Sequence, residues 1–204
     1  TMCFQHWQSC GSCHPDARVD ALNWDLLNDG IGNPKNTKNM LWAHRTPPAM
    51  SLGVRETAET AVRAGIRHIQ FAVRPEEDAN AIDAYLKSLK PVVSPHRKGG
   101  ALNDAAKRGQ RLFGQAGCAR CHPGPLFTDL HPYDVGTGTG REAGQAFDTP
   151  TLVEVWRTAP YLHDGRAGTV LELLRDFNPQ DRHGKTANLT PEQLKDLAEY
   201  VLSL

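Results

Sequence analysis

Two pentapeptides hold the residues with the most distinctive chemistry: Cys10-Gly-Ser-Cys13-His14 and Cys118-Ala-Arg-Cys121-His122. Thiols three positions apart can each form a thioether to a vinyl group on one edge of a porphyrin. The adjacent histidine then presents its imidazole to iron as the proximal ligand. A zinc site or a redox Cys-x-x-Cys pair does not require a histidine directly after the second cysteine, still less in both copies. The motifs consume four of the five cysteines in 204 residues. They predict two covalently bound haem c groups, anchored by Cys10, Cys13, Cys118 and Cys121, with His14 and His122 as proximal iron ligands. Cys3 is left over; it reads as an unpaired thiol, or one whose partner lies upstream, rather than as an anchor.

Haem is attached to c-type cytochromes on the far side of the bacterial inner membrane, so a periplasmic or otherwise exported location is expected. Thr1-Met2-Cys3-Phe4-Gln5 has neither the basic nor the apolar region of a signal peptide. No apolar run approaches the ~20 residues of a membrane span. The first motif opens within ten residues of Thr1, which leads us to expect a missing upstream domain or segment. Lys plus Arg and Asp plus Glu balance at 23 each, giving no case for a nucleic-acid or anionic-membrane partner. The apolar fraction is low, 39%, and two macrocycles would supply the apolar surface that the side chains lack.

The elements that must position these groups come in two sets, and the expected fold is mainly α: two c-type cytochrome domains related by an internal repeat, each packed around one haem. At a constant offset of 112, Thr37/Thr149, Arg45/Arg157, Thr46/Thr158, Pro48/Pro160, Gly53/Gly165 and Thr57/Thr169 are identical. At an offset of 115, Tyr85/Tyr200, Ser88/Ser203 and Leu89/Leu204 match. The Pro/Gly-rich stretch from Pro91 to Gly100 is the seam, dividing the chain into domains 1–94 and 95–204. Thr190, Pro191 and Gln193 form a helix start with a capping box, and Leu194, Leu197, Val201 and Leu204 line one face of that helix. Ile82, Tyr85, Leu86 and Leu89 do the same in the first half. Asn103 opens a helix with Ala106, Gly109, Leu112 and Phe113 inward, and Gly109 allows a close helix crossing. The first motif has no comparable helix ahead of it. No strand pattern of useful length appears.

The sixth iron ligand decides the chemistry. A second His or a Met closes the iron for electron transfer, whereas an open face can bind and cleave peroxide. His68 and His183 answer each other at the offset of 115 and are the distal candidates for the first and second haem. Met40 and Met50 match Leu152 and Leu162 in the repeat and read as core. The second half contains no methionine, so its haem cannot be His/Met ligated.

Gly109–Leu174 resembles the C-terminal haem domain of bacterial di-haem cytochrome c peroxidases and the related methylamine-utilisation enzymes. The matching residues are Gly109 to Phe113, Cys118 to Asp129, Phe147 to Leu152 and Thr158 to Arg166. The first half resembles the family's N-terminal haem domain through Cys10–His14 and Asn36–Pro48. The resemblance implies reduction of hydrogen peroxide with electrons from a small periplasmic redox protein, passed between the two haems. It also implies a calcium ion held by Asn36 and by carbonyls at Thr158 and Pro160.

The departures are specific. The family's second distal ligand, Met or Tyr, falls near Phe177, and phenylalanine cannot ligate iron; His183 is the substitute at hand. The family's Trp between the haems falls at Ser51. No Glu stands where the family places its acid/base over the first haem, and His68 and Gln70 are the polar groups there. Two functions remain open: a peroxidase-like enzyme acting through His68 and Gln70, and a non-catalytic electron carrier with two bis-His haems.

Overall fold

The computed structural model describes residues 2–26, 32–178 and 180–204. The chain divides into two compact units, Thr1–Lys90 and Pro91–Leu204. Helices dominate both, and each of the β pairs is two residues per strand.

The N-terminal unit begins with a one-turn helix α1, Cys10–Cys13. A short antiparallel pair follows, β1 (Asn23–Trp24) with β2 (Lys35–Asn36). Helix α2 (Ala58–Ala64) opens on Thr57, whose hydroxyl accepts the Thr60 N–H, and runs into a π-turn at Gly65–Ile69. Helix α3 (Glu76–Ser88) is ended by the Leu89–Pro91 stretch, where the chain is extended. Asp83, buried on α3, accepts from Arg63 of α2 at 2.6 Å and pairs with His44 at 2.9 Å, which fixes both helices to the turn ahead of them.

The core of this unit is small: Ala17, Val62, Ile66, Ala79 and Leu86, with Met40 and Ile82 packed against it. Val62, Leu86, Met40 and Ile82 also line a cavity beside His14. These side chains form the walls of that cavity, an apolar lining of the kind that packs against a bound apolar group.

The C-terminal unit contains β3 (Arg97–Lys98) paired with β4 (Ala101–Leu102), then α4 (Asp104–Gln115). After the second motif come β5 (Pro132–Tyr133) and β6 (Phe147–Asp148), α5 (Val170–Asp176) and α6 (Pro191–Leu202). Asn103 caps α4 by accepting the Ala106 N–H at 2.8 Å. Thr190 and Gln193 form the reciprocal capping box of α6, with bonds of 3.2 and 2.8 Å. Each such cap contributes about 1 kcal/mol.

Helices α4 and α6 cross closely around Leu112, Phe113, Leu197 and Val201. Gly109 is the contact point: a Cβ there would stand 1.9 Å from the carbonyl oxygen of Asp196. Gly109→Ala must push the helices apart, and the expected loss is about 3 kcal/mol or more. Chemical denaturation read by far-ultraviolet circular dichroism checks it.

Several residues 112 positions apart share a backbone conformation. The turns Ala43–Arg45 and Val155–Arg157 are both 3₁₀, entered from left-handed Trp42 and Glu154. Pro48 and Pro160 follow cis peptide bonds, and the bridges Ala49–Arg55 and Tyr161–Ala167 hold the same register. Thr57 and Thr169 are equivalent helix caps.

One sequence expectation needs correcting. Tyr85 is 53% exposed, whereas Tyr200 is 5% exposed and meets Phe113 of α4 edge-on at 5.2 Å. Among the described residues of the N-terminal unit, no helix stands to α3 as α4 stands to α6.

Candidate functional site

Both Cys-x-x-Cys-His segments form a helical turn closed by the histidine. In α1 the His14 N–H returns to the Cys10 carbonyl at 2.8 Å, and in the second motif the His122 N–H returns to Cys118 at 2.9 Å. Each imidazole is then locked from behind. His14 Nδ1 lies 3.0 Å from the Arg18 carbonyl and His122 Nδ1 lies 3.0 Å from the Phe127 carbonyl. A carbonyl only accepts, so Nδ1 carries the hydrogen and the Nε2 lone pair is left for a metal. Burial lowers the pKa of both rings, which keeps them neutral as ligands must be. None of the five cysteines is joined to another in a disulfide, and among the described residues no cluster of three or more His, Cys, Asp or Glu forms an ion cage.

His183 is brought to His122. The two rings stand with centroids 6.4 Å apart and planes tilted by 40°. Two imidazoles bound to one iron place each nitrogen about 2 Å from the metal. Their ring centres, about 1.1 Å further back, then lie about 6.2 Å apart. The observed gap therefore accepts an iron on its two nitrogens. His183 Nδ1 is buried without a hydrogen-bond partner. Burial, with His122 beside it, pushes this imidazole down to about 4.

The loop that delivers His183 is stitched by Asn178, a residue that sequence reasoning did not single out. Its Oδ1 accepts the His183 N–H at 2.8 Å, and its Nδ2 donates to the Gly184 carbonyl and the Thr186 hydroxyl, both at 2.8 Å. Asp181 Oδ1 accepts from the Thr186 and Ala187 N–H groups. Gly184, at φ +88°, lets the loop lie against the second motif, because a Cβ there would be 3.3 Å from Cys118 Sγ.

The His14 site is built differently. Cys10, Cys13 and His14 line the cavity together with Met50 and Ser51 and, from α2 and the π-turn, Ala61, Val62, Gly65, Ile69 and Gln70. Met50 thus faces the cavity rather than a filled core. His68 is exposed and does not line it. Ile66 and Gln70 are four residues apart and both turn inward, so His68 between them turns out. Gln70 is buried, its Oε1 has no partner, and its backbone is held by Gly65 and by the Phe4 N–H at 2.9 Å. A largely apolar cavity beside two thiols and an oriented imidazole fits a haem attached at Cys10 and Cys13.

The remaining candidates fall as follows. Asn36 lies in β2 and lines the same cavity; Thr158 donates its hydroxyl to the Val155 carbonyl at 3.1 Å; Pro160 follows a cis bond. Cys3 is buried and accepts the Gln8 N–H at 3.3 Å. Among the described residues no helix is long and apolar enough to cross a membrane.

These features define a c-type cytochrome. Residues 106–204 match the Cytochrome c family. Hydrazine synthase subunit gamma of Kuenenia stuttgartiensis is 31% identical, over 96% of this chain and 72% of that protein. The solved hydrazine synthase of that organism superposes with a TM-score of 0.91 at 28% identity, covering all of this chain and 83% of the other. Methylamine utilization protein MauG of Methylorubrum extorquens is 38% identical over 38% of this chain and 26% of its own length. The diheme peroxidase BthA of Burkholderia thailandensis shares the fold, with a TM-score of 0.69 at 17% identity over 97% of this chain and 81% of that one. The chain belongs to the bacterial di-haem cytochrome c peroxidase and MauG family, a family of oxidoreductases whose haem c is covalently bound.

Proposed function

We propose that the chain is a two-haem, periplasmic oxidoreductase with one closed and one open centre. Electrons from a small redox protein arrive at the C-terminal unit, where His122 and His183 ligate iron. Hydrogen peroxide is reduced in the N-terminal unit, where His14 is the only histidine among the described residues lining the cavity. The balance is H2O2 + 2H⁺ + 2e⁻ → 2H2O. The observation that carries this reading is the contrast between the two proximal histidines: one faces a second imidazole and the other faces a cavity.

A haem at the open site supplies a metal that binds a small oxygen-containing molecule and exchanges single electrons with it. The protein supplies the rest. Arg18 holds the His14 ring in its ligating tautomer through its carbonyl. Ala61, Val62 and Ile69 exclude water. Gln70 offers amide hydrogen bonds to a bound oxygen but neither gives nor takes a proton at neutral pH, so protons must come through water. Two bis-His centres would require another histidine over His14, and His68 does not stand there.

A second reading follows from the 0.91 superposition: a subunit of a larger assembly, as the name hydrazine synthase subunit gamma says of that relative. The two are separated by adding peroxide to the holoprotein with a reduced small c-type cytochrome. The peroxidase reading expects two donor molecules oxidised per peroxide consumed. Peroxide left intact overturns it.

A further inference from the structure

The surface beside the second motif carries an aromatic side chain that peroxide reduction at the His14 site does not use. Tyr133, on β5, is 38% exposed, and its hydroxyl donates to Asp129 Oδ2 at 2.7 Å. The same hydroxyl lies beside the Cys121 sulfur, and the Asp129 N–H donates to the Cys121 carbonyl at 2.9 Å. Cys121 is one of the two side chains to which a porphyrin would be joined here. Tyr133 therefore connects solvent with the covalent edge of that group. By accepting the phenolic hydrogen bond, the Asp129 carboxylate keeps the Tyr133 proton on, its pKa pushed up to about 12. The phenol is neutral at neutral pH, and the base that could take its proton is already in contact.

The N-terminal unit has a pair of the same form. Trp24, on β1, is also 38% exposed, and its indole N–H donates to Asp20 Oδ2 at 2.9 Å. In both units the carboxylate stands four residues before the ring and near the proximal histidine. Each haem motif is thus followed by an oxidisable ring at the surface, tied to a carboxylate. A phenol gives up an electron far more readily when a positioned base takes its proton in the same step.

We propose that Tyr133 is the electron-entry relay of the C-terminal centre, where a reduced small c-type cytochrome delivers its electron and Asp129 holds the phenolic proton between steps. The inference deepens the peroxidase reading and rests on it. Reduction of one peroxide takes two electrons from the protein, and Tyr133 replaces them one at a time. Its O–H bond breaks, the electron goes to the oxidised centre and the proton goes to Asp129 Oδ2. A neutral phenoxyl radical and a carboxylic acid remain. The donor's electron then reduces the radical as Asp129 returns the proton, restoring the phenol and the carboxylate. Two such cycles oxidise two donor molecules and complete H2O2 + 2H⁺ + 2e⁻ → 2H2O.

The test mixes the holoprotein with hydrogen peroxide in the absence of donor, freezes it and reads it by EPR. An organic radical signal should appear near the free-electron position, and it should narrow in protein made with ring-deuterated tyrosine. Tyr133→Phe should lose this signal, whereas Tyr85→Phe, which removes another exposed phenol, should keep it. Asp129→Asn should lower the yield, since an amide takes no proton. A tyrosine that only pins its loop would leave the signal unmoved, and a signal surviving in Tyr133→Phe overturns the assignment. If that variant does not fold, a nitroso spin trap added to the wild-type protein should leave its mass on Tyr133; trapping elsewhere alone overturns the assignment. Peroxide consumed by the wild-type protein with no tyrosyl radical also overturns it. Peroxide left intact overturns the parent reading instead.

Discussion

His183→Ala should convert the C-terminal centre from low-spin to high-spin and let external imidazole or azide bind there. The expectation follows from the 6.4 Å gap between the His122 and His183 rings, which an iron ligated on both faces would span. No methionine exists in this half of the chain to take the place of the lost ligand. The conversion should be essentially complete, and added imidazole should restore the low-spin spectrum by occupying the space that the side chain leaves. Peroxide turnover should fall with it, because an opened centre reorganises on each electron it receives. A low-spin spectrum surviving in His183→Ala would mean that another group ligates this iron.

Gln70→Glu should raise peroxide turnover, with kcat/KM increasing by roughly 10²-fold, the lower end of what a positioned general acid–base contributes. Gln70 is buried, lines the cavity and has an unpartnered Oε1, so the exchange puts a carboxyl group where an amide now stands. The gain should be bell-shaped in pH, since the carboxyl must accept a proton from peroxide and return it to the leaving oxygen. Steady-state kinetics across pH 5 to 9 checks it. A flat profile with unchanged kcat/KM would show that Gln70 does not stand over the reacting oxygen.

The proximal half of each site is legible because it is local. Cys, Cys and His at fixed spacing fold into one turn wherever they occur, and the carbonyl that orients each histidine lies four or five residues downstream. Helix caps at Asn103 and Thr190 are local for the same reason. The distal half depends on how segments fold back, and there periodicity says less. His183 and His68 look equivalent at an offset of 115, yet a loop tied by Asn178 turns one inward, while the π-turn at Gly65–Ile69 turns the other to solvent. Tyr85 has the spacing of a core residue, but it is buried only where a partner helix exists, as Tyr200 shows. Asn178 escaped notice because its work lies in three hydrogen bonds across a loop, which no hydrophobic pattern records.

The central claim is that one iron is closed and the other open. Low-temperature EPR of the ferric protein, repeated after half-reduction and addition of peroxide, tests it directly. The account predicts one low-spin signal from the His122/His183 centre and one high-spin signal from the His14 centre, the latter lost on adding peroxide. Two low-spin signals unmoved by half-reduction or by peroxide would contradict it and leave an electron carrier with a peroxidase fold.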